Sequence, residues 1–193
     1  MNGFPIRNIN PDFGIIEWRD EDDIAPMYNI PKNHIWIDSR FWDEKAFLLK
    51  LYLAEQKYVA EYGINFSDKI FRKKLKREFT WDGPQPTFSD FTIRTKRKGR
   101  FLIRFVDGKI IREWIDPWFS FGGHHLVYDY VPPGEIWIDN KQHPRDIKYT
   151  IAHEIREWWL MGRGKTYDKA HDMAIEYEKE LRIKELIRNK KKS

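Results

Sequence analysis

The tetrapeptide Ile-Trp-Ile-Asp occurs twice in the chain, at residues 35–38 and 136–139, which is an offset of 101 residues. β-Branched and aromatic residues favour strands, so each copy predicts a strand. Each copy is followed by two segments of helical spacing that a glycine separates, Gly63 or Gly164. This shared order of elements is typical of an internal duplication. Because identities outside the tetrapeptide are sparse, chance similarity is the alternative explanation.

Apolar periodicity and turn residues predict the remaining elements. Helices are expected over 41–62 and 146–161, with Ser67 and Thr166 as N-caps of a second and a last helix. Asp107-Gly108 predicts a tight hairpin turn, and the first ten residues are expected to be irregular. The predicted strands are 13–18, 34–38, 88–95, 100–106, 109–115, 126–130 and 135–139.

These elements predict an α+β fold in which antiparallel strands, including a hairpin, pack with helical hairpins. The segment Trp81 to Pro86 breaks the periodic pattern and is a candidate linker. We therefore expect an N-terminal strand-helix-helix half at 1–82, as a degenerate copy of the repeat. The second half, 83–193, would hold the hairpin and the last two helices. A single compact domain is the alternative, because 193 residues suit either arrangement.

The chain contains no cysteine. Disulfides, thiol nucleophiles and thiolate-bound metals are thereby excluded, and any metal site must use histidine and carboxylate ligands. No stretch approaches the roughly 18 apolar residues of a membrane span, and the first ten residues do not resemble a secretory signal. We expect a cytoplasmic protein without a membrane partner.

The net charge of +5 hides a strongly basic central block. Residues 69–112 carry 14 basic and four acidic side chains. Such a block predicts low-specificity binding of nucleic acid or of an acidic partner. Solvated strand and helix faces are the alternative reading. The candidate contact residues lie at a predicted strand-turn-strand junction: Arg94, Lys96, Arg97, Lys98 and Arg100.

A cluster of metal-ligand residue types lies in the predicted helix 146–161. His153 and Glu157 are four residues apart, so they project from one helix face, and Glu154 is rotated about 100° from His153. His171 lies in the next helix, beside its apolar stripe. Two antiparallel helices would therefore bring His153, Glu157 and His171 together. Local hydrogen bonds and ion pairs at the helix surface are the alternative use of these side chains.

Two more histidines, His124 and His125, follow Gly122-Gly123. A glycine pair permits close approach of the backbone to a ligand or to a packed helix. Either histidine is therefore a candidate additional ligand or a substrate-facing group. A turn with two polar residues is the simpler interpretation.

The His153-Glu154-x-x-Glu157 motif with a downstream histidine resembles the zincin metallopeptidases, whose helix carries HExxH. That resemblance implies zinc or another divalent metal, with His153 as a ligand, Glu154 as the general base and a peptide or protein as the substrate. The second motif histidine is Glu157 here, and the downstream ligand would be His171. Two histidines and one glutamate are still a set found at open catalytic zinc sites.

The wider layout GGHH, IWID, HExxE and YxxAH is similar to that of small uncharacterised proteins of prokaryotes and their viruses, over about residues 121–182. If the protein is viral, its compartment would be the host cytoplasm. This wider resemblance strengthens the metal-site interpretation but implies no substrate, and the resemblance to zincins implies a zinc-dependent hydrolase similar to a minimal metallopeptidase. The alternative is a non-catalytic interaction protein, metal-stabilised or ion-paired, that binds nucleic acid or an acidic partner through its basic block.

Overall fold

The computed structural model describes residues 6–9, 16–18, 34–63 and 69–191, and the first two of these ranges by their backbone alone. The chain divides into two compact units. The first comprises Met1–Gly83 with Glu113–Pro117, and the second comprises Pro84–Arg112 with Trp118–Ser193. The predicted division between residues 82 and 83 stays a prediction.

A three-stranded sheet forms the start of the first unit. Its strands are β1 (Ile6–Ile9), β2 (Ile16–Trp18) and β3 (Ile35–Asp38), in the order β1-β3-β2. The prediction that the first ten residues are irregular was wrong, because residues 6–9 pair in parallel with β3. That pairing is a tertiary contact that local sequence does not encode.

Helices follow the first sheet. A 3-10 helix, Ser39–Glu44, leads into α1 (Lys45–Tyr62), and α2 spans Lys69–Phe79. Gly63 adopts a φ of 61°, which glycine tolerates without steric cost and which ends α1 as predicted. The proposed N-cap Ser67 lies outside the described residues.

The second unit is built on a mixed four-stranded sheet with the order β4-β5-β7-β6. Its strands are β4 (Thr92–Lys98), β5 (Phe101–Val106), β6 (Gly122–His124) and β7 (Glu135–Asp139). β4 and β5 form an antiparallel hairpin at the predicted strand-turn-strand junction, not at Asp107-Gly108. β5 pairs with β7 in parallel, and β6 pairs with β7 antiparallel. Helices and a mixed sheet confirm the α+β class.

The predicted strand 109–115 is instead a helix, α4 (Gly108–Trp114). The hairpin turn predicted at Asp107-Gly108 is therefore wrong. Asp107 lies at the N-terminus of α4, where its Oδ1 accepts the backbone N–H of Lys109. A Cβ at Gly108 would lie 2.0 Å from Asp139 Oδ2, so close packing is the reason for glycine there. α4 carries the fully buried Arg112, whose guanidinium donates to Asp139 at 2.6 Å.

Two other strand predictions need correction. Residues 88–91 form a single helical turn, α3 (Phe88–Phe91), where Asp90 accepts the backbone N–H of Thr87. Residues 126–130 form turns, because the N–H groups of Val127 and Tyr128 both donate to the carbonyl of His124. The strand lies just before them, at β6.

The two Ile-Trp-Ile-Asp strands, β3 and β7, have the same local surroundings. Each is the central strand between one parallel and one antiparallel neighbour, and the parallel neighbour comes first in the chain. The closing aspartate of each is buried and paired with an arginine, Asp38 with Arg40 and Asp139 with Arg112. This agreement in pairing is what an internal duplication predicts.

The second unit ends in a helical hairpin, α5 (Ile147–Met161) and α6 (Tyr167–Lys190). One face of α5 packs on the sheet through Ile147, Ile151, Ile155 and Trp158, against apolar residues of β5 and β7. α6 covers another face of α5, and Ala170 and Ala174 are fully buried. Within the described ranges, no helix has both the length and the apolar character required to cross a membrane.

Candidate metal centre

Three ionisable residues of α5 are as buried as its apolar stripe. His153 and Glu154 are each 7% exposed, and Glu157 is 2% exposed. Buried carboxylates require a compensating charge or hydrogen bonds. The helical hairpin therefore encloses a group of ionisable side chains that must be satisfied inside the protein.

α6 brings His171 to this group, as the sequence predicted. His171 Nδ1 lies 2.7 Å from Glu157 Oε2 and 3.2 Å from His153 Nε2. His153 Nε2 lies 3.6 Å from the same Glu157 oxygen. These three atoms form a triangle, and we call His153, Glu157 and His171 the ligand triad. The tetrahedral zinc bond length of 2.0–2.1 Å corresponds to about 3.3 Å between ligand atoms, so the triad fits a metal ion in size and chemistry.

Glu157 is the centre of the cluster. Its Oε2 belongs to the triad, whereas its Oε1 lies 3.1 Å from His124 Nε2. Burial alone would raise the pKa of Glu157, but its contacts with His124, His153 and His171 hold this pKa well below its usual range. Glu157 is therefore a carboxylate, the form in which it can bind a cation.

His124 comes from β6 and is fully buried. With Glu154 and Glu157 it forms a second set of potential ligand atoms. Its Nδ1, however, accepts the backbone N–H of Leu126 at 3.2 Å, which places the ring hydrogen on Nε2. Metal-bound histidines show the opposite pattern, in which the second ring nitrogen donates. His124 is thus better suited to stabilise the Glu157 carboxylate than to be a fourth ligand. Its Nε2 is close to Glu157 Oε1, but the angle is not that of a hydrogen bond.

His125, the other predicted additional ligand, is not part of either ligand set. It is half-buried in the turn after β6. Burial, together with the neighbouring His124, lowers the pKa of His125, so it is neutral in the protein. The simpler interpretation of a turn residue therefore fits His125.

Glu154 lies beside the triad and against β6. Its Oε1 is 3.1 Å from the position that a Cβ would take at Gly122, so the glycine makes room for this carboxyl group. Its Oε2 is buried and makes no hydrogen bond. Burial and the charge of Glu157 raise the pKa of Glu154 to about 8. A carboxyl group with one unpartnered oxygen and a pKa near neutral can accept and return a proton.

Glu178 in α6 belongs to the site although no sequence motif indicated it. Its Oε2 lies 3.3 Å from His153 Nδ1, on the side of the ring away from the triad. Burial on its own lowers the pKa of His153, but the contacts with Glu157 and Glu178 raise it to about 10. Glu178 follows His171 by seven residues, two helical turns along one face, and this spacing is the signal that could have indicated it.

The basic candidates lie on the opposite edge of the same sheet, in β4 and the turn that follows it. All five are exposed, and none makes an ion pair with the acidic side chains that the structure describes. Arg94 stacks over the ring of Phe105 at 3.7 Å, and Arg100 lies 4.7 Å from the ring centre of Trp158. Lys96, Arg97 and Lys98 complete this basic edge, which is separate from the ligand triad.

In comparisons with known proteins, no family model matches the chain, no curated protein matches its sequence, and no solved structure matches its fold.

Proposed function

We propose that the second unit is a metal-dependent hydrolase that cleaves peptide bonds. The observation that carries this proposal is the ligand triad, three ligand atoms on two adjacent helices, with the unpartnered carboxyl oxygen of Glu154 beside it. A buried acidic group next to a ligand set is the arrangement that activates water at catalytic metal sites.

His153, Glu157 and His171 would hold the divalent ion. A bound ion would polarise the substrate carbonyl and acidify a water molecule. Metal ligands must be deprotonated, so binding of the ion would displace the second ring proton of His153, whose pKa is raised to about 10 in the metal-free protein. Two neutral imidazoles and one carboxylate would then leave the occupied site with a charge of +1, because the ion carries two positive charges. Zinc is our choice of ion because two histidines and one glutamate form a ligand set that catalytic zinc sites use.

Glu154 would move the proton. As a carboxylate it takes one proton from water while the water oxygen bonds to the carbonyl carbon of the substrate. The same carboxyl group then gives that proton to the amine nitrogen as the carbon–nitrogen bond breaks. Burial and Glu157 raise the pKa of Glu154 to about 8 in the metal-free protein, and the charge of a bound ion would lower this pKa toward neutrality, where a carboxyl group can both accept and return a proton. The resemblance to zincins supports this role and the choice of peptides as substrates.

Removal of the metal tests the proposal. Protein stripped by a chelator is expected to lose cleavage of a mixed peptide library, and added zinc is expected to restore it, with products read by mass spectrometry. A protein that cleaves equally well after stripping, or that cleaves no peptide when fully loaded, would contradict the proposed activity.

A second candidate function is low-specificity binding of a nucleic-acid backbone by the basic edge. The specific observation is the set of exposed basic side chains on β4 and its turn, which make no ion pair with the acidic side chains of the described residues. Lysine and arginine that neutralise phosphates release counterions, so such binding weakens steeply with salt.

Salt titration tests this second function. If three to five side chains contact phosphates, the logarithm of the association constant should fall with the logarithm of salt concentration at a slope of about −2 to −4.5. Replacing Lys96, Arg97 and Lys98 together by alanine should make that slope shallower by about 2 to 3. The matched control replaces three exposed lysines of the helical hairpin, Lys165, Lys179 and Lys184. Equal losses in both triple variants would show that overall charge, not the basic edge, is responsible.

A further inference from the structure

The imidazole of His153 lies between the ligand triad and a second carboxylate. Its Nε2 is directed at His171 and Glu157, whereas its Nδ1 lies 3.3 Å from Glu178 Oε2. A neutral imidazole carries one ring hydrogen, and a carboxylate beside Nδ1 favours that hydrogen on Nδ1. This tautomer leaves the lone pair on Nε2, the nitrogen that belongs to the triad.

Arg182 fixes the other carboxylate oxygen of Glu178, Oε1. Arg182 donates from Nε and Nη2 to Glu178 Oε1 at 3.0 and 2.8 Å. Arg182 also donates from Nη1 to Asp146 Oδ1 at 2.5 Å, at the start of α5. The two oxygens of Glu178 therefore have separate partners, and Oε2 faces His153.

Three contacts between α6 and α5 reflect the antiparallel arrangement of the two helices. His171 contacts Glu157, Glu178 contacts His153, and Arg182 contacts Asp146, so later residues of α6 meet earlier residues of α5. A change in the register of α6 would separate all three pairs at once. The same pairing of α5 and α6 therefore places Glu178 beside His153 and His171 in the triad.

We propose that Glu178 is a positioning residue that fixes the tautomer and orientation of His153 for metal binding, with Arg182 and Asp146 holding Glu178. This inference rests on the metal site of the proposed function. By this inference α6 contributes two residues to the site, the ligand His171 and the positioning residue Glu178 seven residues later. Carboxylates behind metal-bound histidines usually change metal affinity by 10- to 100-fold.

The test compares zinc affinity in three variants of the full chain, by competition with a chromophoric chelator. Glu178→Met removes the acceptor and is expected to weaken binding about 10- to 100-fold. Glu178→Gln keeps an acceptor oxygen and should recover most of that loss. Glu180→Gln, two residues later and exposed, is the matched control and should bind like the wild type.

A tautomer measurement separates positioning from a merely structural role. Nitrogen-15 NMR of the zinc-loaded wild type should show His153 with hydrogen on Nδ1 and zinc on Nε2, and Glu178→Met should change the Nδ1 signal. Tyr149→Phe removes a different contact between the same two helices, the hydrogen bond from Tyr149 to Glu185, and should keep the wild-type tautomer. Unchanged affinity in Glu178→Met, or His153 carrying its hydrogen on Nε2 in the wild type, would overturn the inference. A wild type that binds no zinc would instead overturn the metal site itself.

Discussion

Glu154→Gln is expected to lower the rate of peptide hydrolysis by about 10²- to 10⁴-fold, the range for loss of a general acid–base group. The amide has nearly the shape of the carboxyl group and fits the space beside Gly122, but it cannot take a proton from water. Because Glu154 lies outside the ligand triad, metal content should remain that of the wild type. Initial rates on one cleaved peptide, together with elemental analysis of the same sample, measure both effects.

The control for this substitution is Glu176→Gln, the same chemical change on an exposed side chain of α6. It should alter neither rate nor metal content. Wild-type activity in Glu154→Gln would remove Glu154 from the mechanism. Loss of the metal together with the activity would show that Glu154 is a ligand rather than a base.

His153→Ala and His171→Ala are each expected to weaken metal binding by roughly 10²- to 10³-fold. This estimate divides the 10–16 kcal/mol of structural zinc sites among about four ligands. Each substitution removes one corner of the triad and leaves Glu157 with fewer partners. Zinc competition titrations on the purified variants give the affinities directly.

His143→Ala is the matched control, because His143 lies in the loop before α5 and its Nδ1 accepts the backbone N–H of Arg145. It should bind metal with wild-type affinity. Variants of His153 and His171 that also bind like the wild type would exclude the triad as the site.

The helical hairpin and the triad could be predicted from sequence because the determinants are local. Apolar spacing defines α5, and the i to i+4 relation places His153 and Glu157 on one face. The short connection between Met161 and Tyr167 makes the two helices antiparallel neighbours. The convergence of His171 with the other two follows from these relations.

The central part of the fold could not be predicted in the same way. Asp107-Gly108 fits a hairpin turn and a helix N-terminus equally well as a local signal. What decides between them is Asp139, which packs against Gly108 and pairs with Arg112 from a strand about thirty residues later. The parallel pairing of β5 with β7 depends on similar long-range contacts.

Within the candidate site, sequence patterns indicated ligands better than supporting residues. His124 was predicted as a further ligand, and only the hydrogen bond from Leu126 to its Nδ1 argues for a different role. Glu178 resembled one of many surface glutamates in a charged helix. Its seven-residue spacing from His171 indicates a shared helix face only, and its contact with His153 depends on the packing of α6 on α5.

The first Ile-Trp-Ile-Asp copy lacks counterparts of the ligand triad. At the offset of 101 residues, His153, Glu157 and His171 correspond to Tyr52, Gln56 and Ile70. The strand pairing around β3 and β7 is the same, whereas these three positions of the first unit offer no comparable ligand set. A duplication followed by retention of the site in one copy would account for this difference, and the duplication stays a prediction.

Metal stoichiometry of the purified wild-type protein is the measurement that tests the ligand triad most directly. After incubation with excess zinc and removal of unbound ion, mass-spectrometric elemental analysis should find one zinc per chain, and His171→Ala prepared identically should retain far less. A wild type without bound metal would contradict the account. His153, Glu157 and His171 would then be a hydrogen-bonded group that joins two helices, as the alternative of an ion-paired interaction protein predicts.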